Sequence, residues 1–324
     1  ECVVMLPIST KDGKTTKYIL FDCPQYTVDG YIVDCYYWVG TFDKETCRFI
    51  ADDDKPQLFD RGRGVYTGQN GYCFLTEADI AAGKTAYEDG RTVIYAIAQG
   101  KDAGTAQNIT AGWAHNFAMP LELWLADNGK DVIREPIREL SSLERETLYE
   151  YSGEGLGADA LNAALAGVRG DMLRIDATLT LSPTSETYSG GISVRYNPTT
   201  TASGRTERTD IVFSSDGVYI DRNRTTMLTY VSNQPSYTWG SRERQYQVTI
   251  LLDRSMLEVY VNGVMSFTTR VYPKWGDSDG VHIFDEAAGI TFSDIRVVRM
   301  GSAYRDTVTP SYFGNVGYLK DHND

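Results

Sequence analysis

Apolar and polar residues alternate with a period of two along much of this chain, which is typical of β-strands with one buried face. The clearest example is residues 172–181, MLRIDATLTL, in which every second residue from Leu173 is apolar. Further predicted strands in this half of the chain are residues 192–196, 210–213, 245–252, 257–261, 281–284 and 290–298. Several short strands joined by hairpin turns predict a β-sandwich, which we assign to residues 159–300.

Short strands separated by turn-forming clusters also fill residues 1–140, although without a strict sequence repeat. Turn clusters such as Lys11-Asp12-Gly13 and Asp127-Asn128-Gly129 interrupt the apolar segments. The predicted strands are residues 18–21, 35–40, 71–75, 92–98 and 121–125. Their spacing suits the four-stranded blades of a β-propeller.

A charged stretch, residues 134–149, separates the two regions and is predicted to be helical toward its end. Residues 141–158 are accordingly interpreted as a connector. Residues 159–168, DALNAALAGV, predict a short helix that ends near Gly167 or Gly170. Residues 301–324 are polar and are predicted to form a loosely packed tail.

Composition and charge limit the classes of partner that the chain is expected to bind. The net charge of −13 argues against a nucleic-acid partner and against anionic membrane surfaces, because phosphate binding needs clustered Lys and Arg. No apolar stretch approaches membrane-spanning length, so no membrane partner is predicted. The 22 Tyr, five Trp and 30 Gly residues suit a turn-rich β protein, and a neutral substrate such as a sugar is compatible with the acidic surface.

The five cysteines all lie in the first quarter of the chain and have no zinc-site spacing. Two interpretations stay open. The cysteines are buried free thiols in a β core, or two of them form a disulfide in an oxidising compartment. The residues are Cys2, Cys23, Cys35, Cys47 and Cys73.

Residues 253–273, DRSMLEVYVNGVMSFTTRVYP, form the most informative segment. Two alternating runs flank Asn262-Gly263, which predicts a β-hairpin. This segment resembles the signature of the small β-sandwich that closes family 32 glycoside hydrolases, the group of invertases, inulinases and levanases.

Six further blocks resemble the same family in the same order. Glu1-Cys2 is similar to the start of its Glu-Cys-Pro motif. Its Asp-x-Gly-x-x-x-Tyr-x-x-Gln pattern is matched by Asp60, Gly62, Tyr66 and Gln69. The other blocks are residues 37–43 with Phe49, Gly90-Arg91, Trp113 with Pro120, Glu122 and Leu123, and Pro136 with Glu139-Leu140. The resemblance implies an all-β fold, a partial five-bladed β-propeller followed by a C-terminal β-sandwich.

The resemblance also implies a reaction, the retaining hydrolysis of β-fructofuranosyl bonds in sucrose, inulin or levan. Such hydrolysis needs two carboxyl groups, a nucleophile and an acid/base whose pKa is raised in a partly desolvated site. By resemblance, Glu1 is the catalytic acid/base; by position alone it would be a solvated, inert terminal glutamate. No metal or organic cofactor is implied, because two carboxyl groups and water suffice.

The second carboxylate is missing from this sequence. The family's nucleophile lies in an Asn-Asp-Pro motif and a third acid lies in an Arg-Asp-Pro motif, and neither tripeptide occurs here. We therefore expect that roughly the first two of five blades are absent, which would leave an exposed apolar flank. Either the sequence is a fragment of a longer chain or a companion N-terminal segment supplies the blades. On its own, the chain is expected to be inactive.

Three residues are predicted to bind the fructoside substrate. Asp60 and Tyr66 would line the funnel and hydrogen-bond sugar hydroxyls, with turn formation and blade packing as their alternative roles. Trp113 has polar neighbours, His115 and Asn116, which fit a place at the pocket rim, although a core position is the competing interpretation.

A non-catalytic carbohydrate-binding protein, or a degenerate remnant, is the alternative function. Val3, Ile97 and Leu121 stand where the family has Pro, Trp and Arg, and the loss of an aromatic platform removes apolar contact with a sugar. In a third interpretation the sandwich only braces the propeller or mediates contacts in a homo-oligomer. The family's action on external sugars implies a secreted or periplasmic location.

Overall fold

The computed structural model describes most of the chain. Glu1 and the larger part of the predicted tail lie outside the described residues. The described residues are 2–26, 32–62, 64–74, 78, 81–83, 91–100, 109–110, 112–199, 206–225, 236–238 and 244–303.

The first sheet of the N-terminal region is an antiparallel meander. Its strands are β1 (Val4–Ser9), β2 (Thr16–Asp22), β5 (Tyr36–Asp43), β6 (Arg48–Ala51) and β7 (Gln57–Leu58). They follow the order β1-β2-β5-β6, and β7 also pairs with β5. A small hairpin of β3 (Gln25–Tyr26) and β4 (Ile32–Val33) lies between β2 and β5 in sequence.

The second sheet repeats this arrangement. Its strands are β8 (Tyr66–Phe74), β9 (Arg91–Ala98), β10 (Asn116–Phe117), β11 (Leu121–Leu125) and β12 (Val132–Pro136). Ala98 pairs with both Tyr66 and Asn116, so β8 and β10 lie on opposite sides of β9. Each sheet thus has five strands, of which two short or flanking ones share the same neighbour, and each forms an antiparallel meander as a β-propeller blade does, which confirms that part of the prediction.

The two blades pack face to face and leave their outer faces uncovered. Ile8 and Ile19 of the first blade share a core with Ile94 and Ala96 of the second. On the outer face of the second blade, Tyr72 is 52% exposed and Phe117 is 72% exposed. The described sheets do not close into a ring, and this exposed flank agrees with the expectation for a partial propeller.

The C-terminal region is the predicted β-sandwich. One sheet follows the order β13-β23-β14-β19-β20-β21, with β13 (Glu144–Gly157), β14 (Met172–Leu181), β19 (Gln245–Asp253), β20 (Met256–Val261), β21 (Met265–Arg270) and β23 (Ile290–Met300). The other follows the order β18-β17-β16-β15-β22, with β15 (Ser189–Asn197), β16 (Glu207–Ser214), β17 (Gly217–Arg224), β18 (Ser236–Thr238) and β22 (Gly280–Glu286).

The helix predicted at the start of this region is confirmed as α1 (Ala158–Leu165). Leu161 and Leu165, four residues apart and thus on one helical face, are buried in the sandwich core. Among the described residues, no helix has both the length and the apolar character needed to cross a membrane.

The predicted connector differs from expectation. A 3₁₀ helix spans Arg138–Leu143, but the end of residues 134–149, predicted to be helical, is the first half of strand β13. That prediction is wrong because β13 pairs with β23 along the edge of the six-stranded sheet, where backbone hydrogen bonds outweigh local helix propensity.

The six-stranded sheet is covered on both faces. Val259 and Val261 point into the sandwich core, whereas Met256 and Tyr260 belong to the propeller core. Every residue of β20 is therefore buried. The two regions are consequently joined through one continuous apolar contact, which we call the propeller–sandwich junction.

Candidate functional site

The family-like hairpin lies at the propeller–sandwich junction. Strands β20 and β21 pair up to Val261 and Met265, which confirms the predicted hairpin. Asn262 and Gly263 both have positive φ, 51° and 68°, as a type I′ turn requires. The Gly263 carbonyl accepts a hydrogen bond of 2.8 Å from the backbone N–H of Arg134 in β12, so the turn docks directly on the last propeller strand.

Asp60 is buried in the same junction. Its Oδ1 accepts hydrogen bonds from the N–H groups of Gly62 (2.8 Å) and Thr268 (2.9 Å), and its Oδ2 accepts one from the Thr268 hydroxyl (3.0 Å). A Cβ at Gly62 would overlap the Thr268 carbonyl, which explains the glycine in the Asp-x-Gly pattern. The carboxylate thus ties the propeller to β21, and a contact of Asp60 with substrate remains a prediction.

Tyr66, the first residue of β8, packs inside the core that the two blades share. Its ring lies 5.5 Å from that of Phe59, and burial raises the pKa of its hydroxyl well above the usual value. Within the described part of the chain, this hydroxyl has no hydrogen-bond partner. A buried, unpaired hydroxyl is costly, so a polar group that completes the site would stabilise it. Its contact with a sugar also remains a prediction.

Trp113 lies at the rim of the junction. Its side chain is 38% exposed, and the guanidinium of Arg270 lies 5.4 Å from the ring centre, in cation–π contact. Arg270, by contrast, is fully buried and donates to the Ala98 carbonyl at 2.8 Å and to the Gln99 carbonyl at 3.3 Å. One side of Trp113 is therefore available at the surface, as a rim position requires.

Gln69 reaches the residue that follows Glu1. Its Nε2 donates a 2.7 Å hydrogen bond to the Cys2 carbonyl, and its Oε1 accepts one of 2.5 Å from the Cys23 thiol. The Gln69 side chain is buried, so the backbone next to the predicted acid/base is held by an internal amide. Gln69 belongs to the matched family pattern, and that place in the pattern is the only sign in the sequence of its structural role.

Glu258 is a second residue whose role the sequence did not reveal. It lies on β20, buried, and its carboxyl accepts hydrogen bonds from the Met119 N–H (2.8 Å) and the Tyr260 hydroxyl (2.5 Å). Burial, assisted by the charge of Asp60, raises its pKa from 4.5 to about 7. An ionisable group therefore sits between the two domains, where its charged form is disfavoured.

Replacing Glu258 by glutamine is expected to flatten the pH dependence of stability. Because the folded-state pKa is raised, the stabilising contribution of the neutral carboxyl is complete below pH 4.5 and is lost as pH rises through about 7. The wild-type free energy of unfolding should fall by about 3 kcal/mol more than that of Glu258→Gln over this range. Urea titrations of both proteins at a series of pH values measure the free energy of unfolding. Glu186→Gln, in an exposed loop, should follow the wild type; an unchanged slope in Glu258→Gln would contradict the prediction.

Asp60, Tyr66 and Trp113 thus gather around one junction, whereas Glu1 lies outside the described residues. A cleft of about 460 Å³ on this junction has walls that include Arg134 and Arg296, and none of the three described site candidates, Asp60, Tyr66 and Trp113, lines it. In the described ranges, no three His, Cys, Asp or Glu side chains lie together as a metal site would require.

Two family models match the chain in succession. Residues 1–136 match the model described as "Glycosyl hydrolases family 32 N-terminal domain", and residues 139–299 match "Glycosyl hydrolases family 32 C terminal". The boundary between them falls at the start of the 3₁₀ helix, where the second blade ends and the sandwich begins.

Relatives and solved structures agree with this match. The chain is 24% identical over 302 residues to beta-fructofuranosidase, insoluble isoenzyme 3, of Oryza sativa subsp. indica, covering 82% of this chain and 49% of that protein. It is 30% identical over 128 residues to insoluble isoenzyme 7 of O. sativa subsp. japonica, covering 39% of this chain and 20% of that protein.

Among solved structures, fructan 1-exohydrolase IIa from Cichorium intybus resembles the fold with a TM-score of 0.69 at 15% identity, covering 94% of this chain and 62% of that chain. The exo-inulinase of Aspergillus awamori gives a TM-score of 0.67 at 17% identity, covering 94% and 57%. This chain therefore spans about half of the length of the rice isoenzyme 3 and about three-fifths of the length of the two solved structures. With both family models matched in order and the same partial propeller and sandwich in space, the chain belongs to glycoside hydrolase family 32.

Proposed function

We propose that this chain is the part of a β-fructosidase that supplies the general acid/base, Glu1, for retaining hydrolysis of fructosyl bonds in sucrose, inulin or levan. The observation that carries the proposal is the hydrogen bond from Gln69 to the Cys2 carbonyl, which joins two family-like blocks next to Glu1. Curated relatives named beta-fructofuranosidase and fructan 6-exohydrolase support the substrate class.

The chemistry needs Glu1 in two protonation states. As an acid it would give its proton to the leaving glycosidic oxygen while a second carboxylate attacks the anomeric carbon. As a base it would then take a proton from the water that releases the fructosyl group. In retaining enzymes the two carboxyl groups lie about 5–5.5 Å apart. The second carboxylate is proposed to come from an Asn-Asp-Pro motif on a segment that is not in this sequence.

The junction residues have a supporting part in this proposal. Trp113 offers an exposed ring surface to a sugar, and Asp60 and Tyr66 fix the loop and strand that lead to Gln69. Because sucrose and fructans are met as external sugars, a secreted or periplasmic location is part of the proposal.

Carbohydrate binding without catalysis is the second candidate. Ile97, which stands at the position of the family's Trp, is 38% exposed and offers no aromatic face to a sugar. A site without that platform would retain shape but lose contact area.

The test is to combine this chain with the segment that carries the Asn-Asp-Pro and Arg-Asp-Pro motifs. Fructose release from sucrose, inulin and levan is measured, and NMR identifies the anomer that forms first. Release with retention supports the proposal. Fructan binding in calorimetry without any release supports the second candidate, and the absence of both overturns both.

A further inference from the structure

Two buried cysteines flank the paired ends of strands β2 and β5: Cys23 directly follows β2 and Cys35 directly precedes β5. In this antiparallel pair, Phe21 is opposite Tyr37 and Asp22 is opposite Tyr36. Continued by one step, the same register would bring Cys23 opposite Cys35. Both side chains are buried, and each thiol shifts the pKa of the other, as neighbouring sulfur atoms do.

The backbone geometry of this pair suits a disulfide. The Cys35 carbonyl accepts a 2.8 Å hydrogen bond from the Phe59 N–H, on the side of β7, so the backbone groups of Cys35 point away from β2. Cys23 and Cys35 therefore form a non-hydrogen-bonded pair, in which opposite Cα atoms are typically about 4.5 Å apart. Disulfides span Cα separations of about 4.4–6.8 Å, a range that includes the typical separation of such a pair.

We propose that Cys23 and Cys35 are a disulfide-forming pair, oxidised by a low-molecular-weight disulfide such as oxidised glutathione. The Cys23 thiolate attacks one glutathione sulfur and releases one glutathione thiolate, leaving a mixed disulfide on Cys23. The Cys35 thiol then gives up its proton, and its sulfur attacks the Cys23 sulfur and releases the second glutathione. One disulfide is thus formed and one is reduced.

The surroundings of the two thiols shift their pKa values in opposite directions, which decides which sulfur attacks first. Hydrogen bonds from Cys35, from the Thr67 hydroxyl and from the backbone of Gly68 lower the pKa of Cys23 to about 6. Burial raises the pKa of Cys35 well above its usual value. In conformations that keep these contacts, Cys23 is therefore the attacking thiolate. Because both side chains are buried, exchange takes place during folding or local opening.

Formation of the disulfide would also change the contacts of Gln69, which holds the backbone next to Glu1. In its protonated form, the Cys23 thiol donates to Gln69 Oε1, whereas a disulfide sulfur has no proton to donate at any pH. Gln69 would keep its bond to the Cys2 carbonyl but lose the contact that orients its amide. Only this consequence rests on the proposed function, since the disulfide itself is independent of catalysis.

The test uses the full chain with Cys2, Cys47 and Cys73 replaced by serine, so that only the pair remains. The protein is refolded in a buffer of reduced and oxidised glutathione, quenched with acid, alkylated under denaturing conditions and weighed by mass spectrometry. The expected result is the loss of both alkylatable thiols and of two hydrogen atoms, without a glutathione adduct.

A matched control retains Cys23 and Cys73 instead, with Cys35 replaced by serine. Cys73 lies on β8 and does not face Cys23 across the β2–β5 pair, so this variant should stop at glutathione adducts. If the variants fail to fold, peptide mapping of the unmodified chain after the same treatment decides the matter. Two alkylated thiols, or two separate glutathione adducts on Cys23 and Cys35, would overturn the proposal.

Discussion

Replacing Glu1 by glutamine is expected to lower kcat for the hydrolysis of sucrose or inulin by about 10²–10⁴-fold in the assembly that contains the nucleophile. Glutamine keeps the shape and hydrogen-bonding capacity of the side chain but has no proton to give to the leaving oxygen. KM should change little, because ground-state binding does not use the proton. Steady-state kinetics on both substrates measure the two parameters separately.

A second substrate sharpens this test. An aryl fructoside with a good leaving group needs little protonation, so Glu1→Gln should slow its first step far less than it slows sucrose hydrolysis. Glu45→Gln is the matched control, because Glu45 is exposed in the turn after β5. If Glu1→Gln retained the wild-type kcat on sucrose, Glu1 would not be the acid/base, whatever the fold.

Replacing Arg270 by alanine is expected to lower the free energy of unfolding by about 3–5 kcal/mol. Arg270 lies at the end of β21 and is fully buried, and its guanidinium binds the carbonyls of Ala98 and Gln99 and the ring of Trp113 across the junction. Truncation would leave the buried Ala98 carbonyl and the partly buried Gln99 carbonyl short of a donor and would open a cavity between propeller and sandwich. Urea unfolding, followed by tryptophan fluorescence and far-UV circular dichroism, measures the loss.

Two further variants distinguish the effect of burying the Arg270 side chain from the effect of its positive charge on stability. Arg299→Ala removes an arginine that is 46% exposed and pairs with Glu146 at the surface, so it should change stability by less than about 1 kcal/mol. Arg270→Lys keeps the positive charge but not the planar fork, so it should recover only part of the loss. Equal destabilisation by Arg270→Ala and Arg299→Ala would show that the junction does not depend on this guanidinium.

The alternation of apolar and polar residues predicted some strands well and others not at all. The predicted bounds of β14 and β11 match the structure. Strand β14 alternates over its whole length, and β11 is apolar at four of its five positions, with Pro120 before it and Asp127-Asn128-Gly129 soon after it. Strand β13 was missed, since its charged sequence carries no alternation and its pairing with β23 lies more than 100 residues away. Similarly, β20 is buried on both faces only because the propeller packs against it.

The sequence likewise identified the candidate functional residues but not the contacts that they make. Sequence motifs by themselves pointed to Glu1, Asp60, Tyr66 and Trp113, because the chemical identity and order of these residues match a family pattern. They did not reveal that the Asp60 carboxylate binds Thr268, or that Gln69 holds the Cys2 backbone. Those contacts join segments that are distant in the chain, and a hydrogen bond depends on distances of about 3 Å that only folding creates.

The sequence by itself therefore determined the fold class, the hairpin at Asn262-Gly263 and the family, since each depends on local periodicity, turn chemistry or residue identity. Tertiary structure alone decided that Arg270 and Glu258 lie buried between two domains and that Cys23 and Cys35 are buried in the propeller core. Burial and strand register arise from the simultaneous packing of sheets that are far apart in sequence, and no local pattern records which faces will meet.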